Sequence, residues 1–134
     1  MNEDEAKVKK LLEEHFDVVI RTEKGTYKWN SITDIVTLGA HLSDEMGYLD
    51  GVKLDHFIQA GVPDFLAYST ERKDGETVID DYMFVEAKKE SDVLRMSQLK
   101  WFNRFPKLNA QVIIHDTDEK KVKSFKPPVV NMIT

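Results

Sequence analysis

Three side chains in the middle of the sequence, Asp64, Glu86 and Lys88, have the types and spacing of a metal-assisted hydrolytic site. Two carboxylates supply oxygen ligands for a hard divalent cation, and an ammonium group beside them can act on an attacking water or a phosphate. Because side chains alternate along a strand, Glu86 and Lys88 share a face and Ala87 points the other way. The backbone carbonyl of Ala87 could add a further oxygen ligand. The pattern therefore suits hydrolysis of a phosphodiester bond.

An acidic residue two positions before a lysine carries little information by itself. The sequence contains five such triplets, which start at Glu5, Glu71, Glu86, Asp118 and Glu119. Only the triplet at Glu86 follows an apolar predicted strand. Burying a charged pair there costs free energy unless the charges have a function or are paired and hydrogen-bonded. The only Pro-Asp dipeptide lies in the preceding predicted strand. The alternative interpretation is a structural Lys–Glu pair at the end of a strand.

A hairpin is the element that must bring these residues together. Residues 63–69 are predicted as a strand that is entered through a proline, and 81–88 as the next strand. The segment 71–76 between them contains Asp-Gly, which is a strong turn signal. The sequence therefore predicts a hairpin over 63–88.

The segment after the hairpin predicts a helix and another strand. Apolar residues recur at helical spacing over 93–105, with Asp92 as the N-cap and Pro106 as the stop. Residues 111–115 predict a strand, and the tail over 119–134 is basic and then apolar.

The N-terminal half is predicted with less detail. Residues 3–16 form an amphipathic pattern capped by Asn2 or Asp4, and 17–21 is a β-branched run typical of a strand. A turn at 23–26 precedes a possible short strand at 27–29.

The segment over 31–60 is the hardest to interpret. It predicts a helix over 32–42, capped by Ser31, and a shorter one over 54–60 that ends at Gly61. With the other elements, this order indicates an α/β protein that has a mixed β-sheet flanked by helices.

Composition places the chain among single-domain globular proteins, because 134 residues with 41% apolar and 32% charged residues are enough for one core. The sequence has no cysteine, so it can form neither a disulfide framework nor a thiolate metal site. No apolar run is long enough to span a bilayer, and the acidic N-terminus differs from a signal peptide. We therefore expect a cytoplasmic protein, in the host cell if the source is viral.

The charge is distributed unevenly, although the net value is −5. Residues 1–86 carry 9 Lys and Arg against 19 Asp and Glu, whereas residues 87–134 carry 10 against 5. An acidic half that holds cations beside a basic half that holds phosphates would suit a nucleic-acid partner. An unevenly charged solvated surface is the alternative.

Four linked motifs resemble the VRR-NUC branch of the PD-(D/E)xK nucleases, including its small stand-alone phage members. The resemblance covers residues 61–115 well and the remainder loosely. The motifs are Gly61-Val-Pro-Asp-Phe-Leu66, Phe84-Val-Glu-Ala-Lys88, Asp92-x-Leu94-x-x-Ser97-Gln98-x-x-Trp101-Phe102 and Ala110-Gln-Val-Ile-Ile-His115.

The resemblance implies a restriction-endonuclease-like fold and a role for each matching residue. Asp64 and Glu86 would bind Mg²⁺ or Mn²⁺, and Lys88 would position the water or stabilise the developing charge. Gln98 matches a glutamine that lies near the site on the following helix. An exposed helix residue is the alternative for Gln98.

A glutamate on the first helix also reaches the metal in members of this group, and Glu5 is the residue we expect to do so. Glu5 begins an E-x6-L motif, and a V-x-R motif that ends at Arg21 follows it. This layout is similar to that of the archaeal Holliday junction resolvases. Glu3 and Asp4 are rivals, and a solvated N-terminal acid is the alternative to all three.

The expected function is that of a Mg²⁺- or Mn²⁺-dependent endodeoxyribonuclease. Resemblance implies branched or Holliday-junction-like DNA as the substrate, in repair, recombination or replication, and a homodimer. Residues 27–60 carry no family signature and are expected to be a lineage-specific elaboration that flanks the cleft. The alternatives are a restriction-like enzyme that reads sequence and a non-catalytic DNA-binding module.

Overall fold

The computed structural model describes residues 2–23, 32–89, 92–115 and 122–125. Its described elements are three α-helices, five strands and one 3₁₀ turn, which precedes the hairpin. They are α1 (Glu3–Glu13), β1 (Val18–Arg21), α2 (Ile32–Met46), the 3₁₀ turn (Leu54–His56), β2 (Phe65–Lys73), β3 (Glu76–Lys89), α3 (Met96–Arg104), β4 (Ala110–His115) and β5 (Val122–Phe125).

The described strands form one mixed sheet in the order β1-β2-β3-β4-β5. The β3–β4 pair is parallel, and the other neighbouring pairs are antiparallel. A parallel pair requires a crossover, and α3 provides it. The predicted mixed sheet flanked by helices is confirmed, and it is consistent with a restriction-endonuclease-like fold.

The β2–β3 hairpin is longer than the sequence predicted. Its strands continue to Lys73 and resume at Glu76, so the expected break over 71–76 is wrong. Asp74 and Gly75 alone make the turn, with φ values of 53° and 81°. Two central residues with positive φ suit the twist of a tight hairpin, which leaves the flanking residues free to pair.

Helices cover both faces of the sheet and create two cores. On one face, α1 packs Val8 and Leu12 against Phe65, Val85 and neighbouring strand residues. On the opposite face, the larger core contains side chains from α2, the 3₁₀ turn, α3 and the strands. It includes Leu38, Leu42, Leu54, Phe57, Leu66, Phe84 and Trp101.

Two helix boundaries differ from the sequence prediction near the N-terminus. Helix α1 ends at Glu13 instead of residue 16, and Asn2 caps it by accepting a hydrogen bond from the backbone N–H of Glu5 at 2.8 Å. Helix α2 continues to Met46 instead of residue 42, and Gly47 follows it with φ of 73°. The left-handed conformation of a glycine is a common helix stop.

Two further helices are shorter than predicted. The helix expected over 54–60 is one 3₁₀ turn, Leu54–His56. Helix α3 begins at Met96 with Arg95 as N-cap, so Asp92 is not the cap. The carboxylate of Asp92 instead accepts a hydrogen bond from the backbone N–H of Lys89, 3.0 Å away, at the end of β3.

The strand predicted at 27–29 and the cap predicted at Ser31 lie outside the described residues. The described part of the 27–60 segment contributes to the larger core, since Leu38, Leu42 and Phe57 are fully buried.

Strand β5 falls in the tail, for which no strand was predicted. No helix in the described part of the chain is long and apolar enough to cross a membrane.

Candidate active site

The open end of the β2–β3 hairpin holds Asp64 and Glu86 in a reciprocal arrangement. The backbone N–H of Asp64 donates to Glu86 Oε2 at 3.1 Å, and the backbone N–H of Ala87 donates to Asp64 Oδ2 at 3.0 Å. The register pairs Phe65 with Val85, so Asp64, which immediately precedes β2, comes opposite Glu86. Each carboxylate is thus fixed by the backbone of the neighbouring strand.

Gln98 connects Glu86 to the start of α3. Its Nε2 donates to Glu86 Oε1 at 2.6 Å, and its Oε1 accepts from the backbone N–H of Arg95 at 2.8 Å. Only 2% of Gln98 is exposed. A carboxylate accepts and a backbone N–H donates, so these two partners fix the orientation of the amide. Gln98 is therefore buried and bonded to Glu86, and the alternative of an exposed helix residue is wrong.

Lys88 lies on the same face of β3 as Glu86. Its Nζ is 3.8 Å from Glu86 Oε1, and only 14% of its side chain is exposed. Ala87 faces the other core, where it packs near Phe65 and Val85. The alternation expected from the strand is therefore present, and it places the ammonium group beside the carboxylates.

Burial makes both carboxylates hard to ionise. Desolvation, reinforced by the charge of Asp64, raises the pKa of Glu86 to about 8, although Lys88 acts in the opposite direction. Desolvation also raises the pKa of Asp64; the Ala87 N–H lowers it, and the charge of Glu5 raises it. Two neighbouring acids whose pKa values are both raised by desolvation favour a nearby positive charge.

The loop that leads into Asp64 is packed closely against α3 and β1. Gly61 has φ of 86°, and a Cβ there would lie 2.0 Å from the backbone oxygen of Ser97. On the other side, Thr22 donates through its hydroxyl to the Pro63 carbonyl and through its N–H to the Asp64 carbonyl at 2.9 Å. Only glycine permits this close approach, which fixes the entry to β2.

Helix α1 brings Glu5 to the same end of the sheet. Glu5 Oε2 is 3.0 Å from Arg21 Nη2, and its Oε1 accepts from Asn2 Nδ2 at 3.1 Å. Arg21 pairs in the sheet with Phe65, the residue after Asp64, and the charge of Glu5 raises the pKa of Asp64.

The two rivals of Glu5 lie in different surroundings. Glu3 forms an ion pair with Lys7 at 3.2 Å, and its side chain is 79% exposed. Asp4 is buried, and its Oδ2 is 3.5 Å from Lys89 Nζ. Of the three acids, Glu5 is the one whose charge acts on Asp64.

A cleft of about 330 Å³ opens beside Asp64. Its lining includes two arginines, Arg21 and Arg95, together with Thr22, Glu23, Val62 and Asp64. Sequence reasoning did not identify Arg95 or Thr22 as part of the site. One feature of the sequence could have indicated Arg95. It lies three residues before Gln98, which is the spacing between the N-cap of a helix and the third residue of its first turn.

The donor set at the hairpin end fits a hard divalent cation. Asp64 and Glu86 offer oxygen ligands only, and burial leaves them in need of positive charge. Within the described ranges, no three His, Cys, Asp or Glu side chains converge in a metal-binding arrangement. Backbone carbonyl oxygens and water would therefore have to complete the coordination shell.

Residues 56–118, which include the Pro-Asp and Glu-x-Lys motifs at the open end of the hairpin and the following helix, match the model of the VRR-NUC domain, a PD-(D/E)xK nuclease-related domain. A VRR-NUC domain implies a nuclease. No curated protein and no solved structure matches the chain.

Proposed function

We propose that the protein is a divalent-metal-dependent endodeoxyribonuclease with Asp64, Glu86 and Lys88 at its catalytic centre. The observation that carries the proposal is the reciprocal bonding of Asp64 and Glu86 to each other's strand, with Lys88 Nζ 3.8 Å from Glu86. This arrangement holds two oxygen donors and one ammonium group at fixed positions before any ligand arrives, as electrostatic catalysis requires.

Asp64, Glu86 and the backbone carbonyl of Ala87 would hold Mg²⁺ or Mn²⁺. Both cations accept carboxylate and carbonyl oxygens, so the donor set does not choose between them. When bound, the cation supplies Lewis-acid activation of water and neutralises charge on the phosphate. The raised pKa values of both acids support this assignment, because a cation would replace the protons that burial favours.

Lys88 and Gln98 have separate tasks in this proposal. The largely buried Lys88 ammonium donates to the attacking water or to a phosphate oxygen, while Glu86 keeps it beside the reacting atoms. Gln98 holds the Glu86 carboxylate in one orientation through its Nε2. Such supporting hydrogen bonds commonly determine how well a ligand binds its metal.

Glu5 is the proposed third carboxylate. Its charge already acts on Asp64, and its Oε2 is held by Arg21 at 3.0 Å. Exchange of Arg21 for the cation would let Glu5 join the coordination shell. We therefore assign it as a weaker ligand than Asp64 or Glu86.

For the substrate, we propose branched DNA cut by a homodimer. The basic balance of residues 87–134 supports contact with phosphates. A two-fold dimer would present two sites to two strands, which suits a junction. The family match supports a nuclease domain, and the DNA structure that it prefers is part of the proposal.

Supercoiled plasmid incubated with Mg²⁺ or Mn²⁺ tests the activity. We expect nicking by the wild type and none by Glu86→Ala or Lys88→Ala. Glu71→Ala and Lys73→Ala are matched controls, because they alter an identical Glu-x-Lys spacing in the exposed half of the hairpin. Metal-dependent nicking that survives both substitutions at the site would overturn the assignment.

A four-way junction compared with a linear duplex of matched sequence tests the substrate. Preferential cutting of the junction supports the proposed class. Discrete fragments from linear duplex, with junctions ignored, would favour a restriction-like enzyme. Absence of cleavage together with metal-independent DNA binding would favour a non-catalytic module.

A further inference from the structure

Arg95 lies where a nucleic-acid strand would approach the carboxylates. It lines the same cleft as Asp64, and its side chain is exposed. Its positive charge also lowers the pKa of Glu86. A guanidinium group at the mouth of this cleft is available to solvent and to an incoming anion.

The backbone that carries Arg95 is held in place from two sides. Gln98 accepts its N–H at 2.8 Å and donates to Glu86 at 2.6 Å, which links residue 95 to the site through one buried amide. The close approach of Gly61 to Ser97 fixes the same turn of the chain against the loop before Asp64. The side chain therefore starts from a rigid position next to the carboxylates.

Among the described residues, Arg95 also differs from the other cations near the site because it has no ion-pair partner. Three of these cations are paired with carboxylates: Arg21 with Glu5 and Glu23, Lys88 with Glu86, and Lys89 with Asp4. Arg95 forms no ion pair with any carboxylate in the described part of the chain. A cation left unpaired at a cleft is free to bind a ligand anion without first losing an internal partner.

We propose that Arg95 binds a backbone phosphate of the DNA strand in the cleft. The planar guanidinium group presents paired N–H donors that match two phosphate oxygens, which a lysine ammonium cannot do. The contact reads the backbone and carries no base preference. This inference rests on the proposed nuclease function, and it identifies Arg95 as a substrate-binding residue.

Salt dependence of binding isolates this contact from catalysis. A short fluorescein-labelled duplex is titrated in EDTA, so that cleavage plays no part, with wild type, Arg95→Ala and Arg95→Lys. Each phosphate contact contributes about 0.9 to the slope of log K against log salt concentration. We expect the slope for Arg95→Ala to be smaller by about 0.9, and the variant to bind about tenfold more weakly at low salt. Arg95→Lys should keep the slope and bind less tightly than wild type.

Arg72→Ala is the matched control, since it removes the same charge from the other end of the hairpin. Arg72 is eight residues along the strand from Asp64, roughly 25 Å at the usual rise of a strand. It donates to the Gly75 carbonyl and to Thr77 near the turn. We expect its salt slope to equal that of the wild type, and thermal unfolding should confirm that each variant is folded.

The outcomes separate this inference from the proposed function. An unchanged slope in Arg95→Ala, or an equal loss in Arg72→Ala, overturns the role of Arg95 while plasmid nicking by the wild type stands. A smaller salt slope in Arg95→Ala, together with no plasmid nicking by the wild type, supports the phosphate contact and overturns the nuclease proposal. A wild type that does not bind the duplex overturns the role of Arg95, and plasmid nicking then decides the nuclease proposal.

Discussion

Two groups of acids meet at one end of the sheet, and they are held in different ways. In the hairpin, Asp64 and Glu86 accept hydrogen bonds from the backbones of β2 and β3. On α1, Asp4 and Glu5 are paired with the side chains of cations that belong to other elements. We refer to these as the hairpin acids and the α1 acids. The first pair is fixed by strand register and the second by the packing of a helix.

This difference bears on what each pair can do. A backbone donor has no rotamers, so the hairpin acids retain their geometry when a ligand arrives or departs. The ion pair between Glu5 and Arg21 is held by two side chains that can each change rotamer, and both are partly exposed. If the hairpin acids bind a cation, as we propose, the backbone keeps them in place and Glu5 can adjust around it.

Asp64→Asn should have the largest effect. The amide oxygen can still accept from the Ala87 N–H, so the hairpin should remain folded, but the negative ligand is lost. We expect cleavage to fall by about a thousandfold, the scale seen when a group that stabilises charge in the transition state is removed. Initial rates on plasmid, with circular dichroism to check the fold, provide the measurement. A loss below tenfold would remove Asp64 from the catalytic centre.

Gln98→Met should have the next largest effect. The substitution preserves length and burial but removes both the donor to Glu86 and the acceptor for the Arg95 N–H. We expect a loss of about tenfold to a hundredfold in rate, as for other residues that orient a metal ligand. The metal concentration for half-maximal activity should rise at the same time. An unchanged metal requirement together with a lower melting temperature would reduce Gln98 to a structural role.

Glu5→Gln tests the comparison between the two groups directly. We expect a loss of about tenfold, smaller than that of Asp64→Asn, because water can replace an outer ligand. Glu3→Gln, on the exposed side of the same helix, is the control and should match the wild type. If Glu5→Gln were as damaging as Asp64→Asn, the α1 acids would have to be counted as primary ligands.

The same difference explains what the sequence revealed about the site. The hairpin acids and Lys88 are related by alternation and register, which are local properties that periodicity and an Asp-Gly turn indicate. Gln98 was expected near the site only through the family resemblance, since no local rule aims a helix residue at Glu86. Which α1 acid approaches Asp64 depends on how the helix rotates on the sheet, so Glu3, Asp4 and Glu5 could not be separated with confidence from sequence.

Arg95 shows a related limit. The cap of α3 was predicted at Asp92, because aspartate is a favoured N-cap and arginine is not. In the structure, the Asp92 carboxylate accepts a hydrogen bond from the backbone N–H of Lys89 at the end of β3. The side chain of Gln98 accepts the N–H of Arg95 at the first turn of α3. The Gln98 amide that bonds Glu86 also closes the first turn of α3, so this tertiary contact accompanies a helix start at Met96 and not at the position that Asp92 would cap.

The smallest expected effect is on stability, and it depends on pH. The pKa of Glu86 is raised from 4.5 to about 8 in the folded chain, so between these values the folded state binds more protons than the unfolded state. Stability without metal must then fall as pH rises through this window and level off above it. Glu86→Gln imitates the protonated acid at every pH, so it should lose less stability over the same range.

Thermal unfolding at pH 4.5 and at pH 8 measures this difference. We expect the melting temperature of the wild type to fall further than that of Glu86→Gln, and Glu71→Gln on the exposed part of β2 to follow the wild type. Mn²⁺ should raise the wild-type melting temperature at the higher pH, because a cation that binds only the folded state stabilises it. It should do so much less for Glu86→Gln. Equal pH profiles for wild type and Glu86→Gln would mean that the pKa of Glu86 is not raised in the folded chain. The argument that buried, repelling carboxylates favour a bound cation would then fail.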